Sequence, residues 1–127
     1  RLPGNAIYHS NSGLVLSACG RLDDAIGAYR KAISIDPARS EFQTSLGIAL
    51  ATARRFDEAV AALQQAVKLS PDSPDAHVNL GNALHHAGRL DESIVEFRHA
   101  IALDPKHPLA HSNLGAALRE QGGGDEG

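Results

Sequence analysis

Apolar residues recur at steps of three and four along most of the chain, with polar residues filling the intervals. Between 76 and 101 the run Ala76, Leu80, Ala83, Leu84 and Ala87 is followed by Leu90, Ile94, Phe97, Ala100 and Ile101. Each run is the buried stripe of an amphipathic helix, and the turn Gly88-Arg89 separates the two. The same two-helix pattern occurs twice before, around the turns Gly20-Arg21 and Arg54-Arg55. An acidic pair opens each second helix: Asp23-Asp24, Asp57-Glu58 and Asp91-Glu92. Acidic groups in a first turn oppose the helix dipole and can cap free amides. Pro37, Pro71 and Pro105 end the second helices, because the residue before a proline is pushed out of helical geometry. Pro74 and Pro108 restart helices, a position where proline is tolerated.

Shifting the sequence by 34 aligns Gly13, Gly47, Gly81 and Gly115. Three residues after each glycine comes Leu16, Leu50, Leu84 or Leu118, and nine after comes Leu22, Phe56 or Leu90. Twelve after lies the small slot Ala25, Ala59 or Ser93; sixteen after, the large slot Tyr29, Leu63 or Phe97. No insertion disturbs this register.

A period of 34 with these small, aromatic and proline slots resembles the tetratricopeptide repeat family. Full units span about 6–39, 40–73 and 74–107, a capping first helix covers 108–121, and 122–127 reads as a flexible glycine-rich tail or the start of a linker. The first unit is the least regular, with Ser12 where Leu46, Leu80 and Leu114 precede the glycine. The resemblance implies an all-α fold: a right-handed α-solenoid of antiparallel helix hairpins, first helices lining the concave side. Each hairpin leaves an apolar side bare until the next one stacks on it. A mid-helix glycine costs about 1 kcal/mol relative to alanine. Its recurrence points to close approach of paired helices, with Ala25, Ala59 and Ser93 as the matching small surface. In the capping helix Leu114 and Leu118 are expected to point inward.

Composition narrows the function. The chain has 127 residues, 43% hydrophobic and 21% charged, enough for one core. Aromatics are 4%, with no Trp or Met, so the core is built from Leu, Ile, Val and Ala. A net charge of −3 lacks the footprint of a nucleic-acid binder, and no apolar run reaches membrane-span length. One cysteine cannot form an internal disulfide. Leu16-Ser17-Ala18-Cys19 superficially matches a lipoprotein cleavage box, but Asn11-Ser12-Gly13 interrupts the apolar stretch such a signal needs. A start at Arg1 in place of Met suggests a processed or excised piece of a longer protein.

There are seven histidines. His9, His77 and His111 share the slot four residues before the glycine, on first helices about 10 Å apart. Metal–nitrogen bonds of about 2 Å rule out one ion shared across that distance, so the slot is read as structural. His85 and His86 are adjacent on a helix and point in different directions. No nucleophile motif or phosphate loop is present, and the expectation is no enzyme, no cofactor and no metal.

What remains is the groove. Two residues before each glycine stand Asn11, Ser45, Asn79 and Asn113; Thr44 lies three before, Asn82 one after and His86 five after. Asparagine amides both donate to and accept from a peptide backbone. A row of them about every 10 Å would meet an extended chain at every third residue, given about 3.3 Å per residue. The row resembles the asparagine ladder in the repeat region of O-linked N-acetylglucosamine transferases, and Ala110-His111-Ser112-Asn113-Leu114-Gly115 is similar to those repeats. Ser45 interrupts it. Alternatively, these amides cap or tie neighbouring helices. The first helices carry no Lys or Arg before Arg119, which argues against clamping an acidic C-terminus.

The leading expectation is a non-enzymatic, cytoplasmic module that binds a protein or peptide segment in its groove. The runner-up is the substrate-recognition arm of a larger enzyme such as a glycosyltransferase. Self-association through incompletely capped ends is the third.

Overall fold

The computed structural model describes residues 3–126; residues 1, 2 and 127 lie outside it, and for 3, 4 and 123–126 only the backbone is described. The described residues form α1 (Pro3–Ala18), α2 (Leu22–Ile35), α3 (Ser40–Thr52), α4 (Phe56–Leu69), α5 (Pro74–His86), α6 (Leu90–Leu103) and α7 (Pro108–Glu126), with no strand. Each helix packs only on those one or two places away along the chain. This is the stacked-hairpin architecture the repeat demands.

The turns inside the hairpins are built alike. The Arg21 amide reaches back to the Leu16 carbonyl at 2.9 Å, Arg55 to Leu50 at 2.8 Å, and Arg89 to Leu84 at 2.8 Å. Such a bond from beyond the helix end needs one residue at positive φ. Gly20 (φ 81°) and Gly88 (φ 83°) supply it without strain, whereas the second hairpin uses Arg54 at φ 65°. Ser73 caps α5 by accepting the Ala76 amide at 3.2 Å. His107 does the same for α7 with Nδ1, taking the Ala110 amide at 3.2 Å, while its Nε2–H donates to Asp75 at 2.6 Å.

The recurring glycine makes room for a large side chain. A Cβ on Gly81 would stand 2.5 Å from Cε1 of Phe97, and one on Gly13 would stand 2.5 Å from Cε1 of Tyr29. Leu63 occupies the same place against Gly47. The close approach is therefore between glycine backbone and the large slot of the paired helix. Ala25, Ala59 and Ser93 are fully buried, but they are not what meets the glycine, which corrects the expected pairing.

Three further expectations change. Leu118 is exposed, and Ala110 and Ala117 are the residues α7 buries, with Leu114 packed partly against them. No eighth helix is present among the described residues for Leu118 to meet. The N-cap residues of the second helices are Arg21, Arg55 and Arg89, whose side chains cap no amide. Asp24, Glu58 and Glu92 instead bind the arginine three residues earlier, Arg21, Arg55 and Arg89, at 2.9, 2.8 and 2.8 Å. Finally, α7 runs on to Glu126, past Gly122 where the repeat register places a turn. Gly124 stands in the slot of Leu22, Phe56 and Leu90, so it offers no apolar anchor to turn the chain back.

Candidate functional site

Asn79, Asn82 and His86 lie three and four residues apart on α5 and so share one face. With Ile48 and Thr52 of α3 they line a cleft of about 370 Å³, closed at one end by Arg54 and Phe56. Ile48 is 49% exposed, an apolar side chain left open in the floor. The His86 ring stacks on Phe56 at 5.5 Å, and its Nδ1–H donates to the Asn82 carbonyl at 2.8 Å. The Arg54 guanidinium also lies over the Phe56 ring, 5.6 Å from its centroid, a cation–π contact. The Asn79 side-chain amide lines the cleft and makes no hydrogen bond among the described residues.

A second hollow of about 310 Å³ adjoins the first through Asn79 and contains Thr44, Ser45 and Ser73. Its hydroxyls are largely engaged already. Thr44 donates to the Ser40 carbonyl at 3.0 Å, and the Ser70 and Ser40 hydroxyls bond at 2.8 Å. The last amide of the row is tied to a residue outside it: Asn113 on α7 donates to Asn82 Oδ1 at 3.0 Å. Asn11 stands apart, in a hollow of α1 beside Tyr8 and Val15. The sequence-derived set thus divides. Asn79, Asn82 and His86 share the main cleft, Thr44 and Ser45 the adjoining hollow, Asn113 supports Asn82, and Asn11 is remote.

Sequence reasoning missed Arg54 and Phe56. Phe56 was assigned to a core slot, and Arg54 to a turn. The signal was the turn itself: arginine stands where the other two hairpins have glycine. A left-handed backbone costs a non-glycine residue about 1 to 2 kcal/mol, and strain of this kind clusters at ligand sites.

Charge is sparse in both hollows: Arg54 lines the first, and Glu41 and Asp75 line the second. Helices α1, α3 and α5 contain no Lys or Arg. At the second-helix starts, the hydrogen bond from Arg55 holds the Glu58 carboxyl below its ordinary range, and Arg89 does the same to Glu92. His85 Nε2 meets Glu120 of α7 at 2.7 Å. The histidine slot before the glycine ties α5 and α7 to the preceding proline turns: His77 Nε2 to the Pro71 carbonyl at 2.9 Å, His111 Nε2 to the Pro105 carbonyl at 2.6 Å. No helix among the described residues is long and apolar enough to cross a membrane.

Family models described as tetratricopeptide repeat match residues 44–108 and 6–39. No curated protein matches the chain significantly. Among solved structures, the first TPR of Spaghetti (RPAP3) bound to an HSP90 peptide is 21% identical, with a TM-score of 0.89 over 95% of this chain and 96% of that one. MamA is 27% identical, with a TM-score of 0.86 over 94% of this chain and 70% of that one. A mutant O-GlcNAc transferase from Thermobaculum terrenum is 28% identical, with a TM-score of 0.79 over 91% of this chain but only 22% of that one. These likenesses extend to the right-handed superhelical arrangement expected from the repeat.

Proposed function

The chain belongs to the tetratricopeptide repeat family, and from that premise we propose that it is a non-enzymatic docking module that holds an extended segment of a partner protein in the α3–α5 cleft. The observation that carries this reading is the composition of the cleft. An open apolar floor at Ile48, a stacked wall of His86 on Phe56, and the unengaged Asn79 amide sit side by side. The amide can both donate to and accept from a peptide backbone. The floor takes one apolar side chain, and Arg54 receives a single acceptor at the cleft's end. The solved Spaghetti domain binds an HSP90 peptide, an acidic ligand whose recognition calls for several cations. With no Lys or Arg on α1, α3 or α5, this chain suits a neutral, partly apolar segment.

The test is selection from a displayed random-peptide library, followed by calorimetry with the consensus peptide. Asn79→Ala combined with Ile48→Ala should weaken binding about tenfold or more, since a hydrogen bond is worth about 1 kcal/mol and each of the three carbons lost from Ile48 up to about 0.8 kcal/mol when a ligand buries it. The melting temperature should stay within a degree or two. Unchanged affinity with a lowered melting temperature would show that these side chains serve the fold.

A second reading rests on the O-GlcNAc transferase likeness, in which the matching region is a minor part of a much longer chain. Here the cleft would present substrate to a catalytic domain of the same polypeptide. The reading frame that carries this segment decides between the two.

A further inference from the structure

Three side chains of the third hairpin converge on one point away from the cleft. His77 of α5 places Nδ1 2.7 Å from Oε1 of Glu96 on α6. His99, one turn further along α6, places its Nδ1 3.8 Å from the same oxygen. All three donor atoms lie within 4.8 Å of one another. In a tetrahedral site with metal–nitrogen bonds of about 2 Å, donor atoms stand about 3.3 Å apart. The two spacings to Glu96, 2.7 and 3.8 Å, bracket that value, and the third pair, within 4.8 Å, closes to it by a movement of the exposed His99 side chain of at most about 1.5 Å.

The hydrogen bonding of His77 gives the cluster its direction. Its Nε2–H donates to the Pro71 carbonyl, the outer-shell arrangement that orients metal-ligating histidines. A neutral imidazole so held turns the bare Nδ1 lone pair onto a carboxylate oxygen. Two lone pairs at 2.7 Å repel unless a positive centre lies between them. A proton satisfies two partners, but a third donor, His99, is aimed at the same place. Three converging donors, two nitrogen and one oxygen, match a borderline divalent cation better than a proton. His77 is buried, Glu96 is mostly buried, and the His99 side chain is 57% exposed. One side of the cluster is therefore open to water for a fourth ligand.

We propose that His77, Glu96 and His99 form a zinc-class metal site that clasps α5 to α6. The sequence reading discounted an ion shared between repeats; this set lies inside a single repeat, with Glu96 and His99 one helical turn apart. The site is independent of the docking cleft, and its failure would leave that reading untouched.

The test uses the full chain purified free of metal, titrated with Zn²⁺ by calorimetry and with Co²⁺ by visible absorption. One ion should bind per chain, Co²⁺ should give tetrahedral ligand-field bands, and Zn²⁺ should raise the melting temperature. His99→Ala should weaken binding by about tenfold or more while leaving the metal-free melting temperature unchanged, because that side chain is largely exposed. Glu96→Gln should weaken it similarly, and His85→Ala should not. Absence of the Co²⁺ bands, or equal affinity in His99→Ala, would overturn the proposal.

Discussion

Leu84 on α5 and Leu118 on α7 stand at the same distance from a mid-helix glycine, in the same register of the same repeat. Leu84 is 2% exposed and Leu118 37%. The glycines differ in the same way. A Cβ on Gly81 would collide with the Phe97 ring, whereas one on Gly115 would meet nothing nearer than the tip of Arg119, at 3.6 Å. Residue identity and helix position are constant between the two sites; what changes is the presence of a following helix. Burial in this fold is conferred by the neighbour.

The sharpest way to break that comparison is to truncate both leucines. Leu84→Ala should cost about 2 to 5 kcal/mol, as for a filled core position, and Leu118→Ala should fall within about 0.5 kcal/mol of zero. Urea denaturation of the two variants measures the difference, and equal losses would refute it. The glycines provide the next test, with opposite signs. Gly81→Ala should destabilise by about 1 to 3 kcal/mol through overpacking against Phe97. Gly115→Ala should stabilise by about 0.5 to 1 kcal/mol, because alanine is the better helix former where space is open. The smallest effect concerns the turns. Arg54→Gly should gain about 1 kcal/mol by relieving a left-handed arginine, yet lose affinity for a peptide bound in the cleft. Thermal melts and calorimetry on this one variant would separate stability from binding.

Much of this was legible without coordinates. The 34-residue register placed the helices, the proline boundaries and the tight spot at Gly13, Gly47 and Gly81. It did not say which slot of the partner helix fills that spot. A sequence repeat fixes spacing along the chain, and the direction of a side chain across a hairpin depends on packing. Leu118 misled for a related reason: the repeat promises a neighbour that is not present among the described residues. The acidic pairs were read as caps because their position suits that role, but the adjacent arginine offers a charged donor that competes for the same oxygens. The bond between Asn82 and Asn113, residues 31 apart in sequence, could not be seen from the register, where one stands just after its glycine and the other two before. Arg54 was the most recoverable omission, since a non-glycine at a glycine position is visible in the alignment of the repeats to one another.

Contacts that reach no further than two helices along the chain also govern how the molecule comes apart and reassembles. Such short-range topology belongs to rapid folders. Because no tie spans from first hairpin to last, an opening that begins at α7 can stop at α6 and leave the rest standing. Amide exchange should then grade along the chain, slowest around Leu50 and Leu63 and fastest toward the final turns.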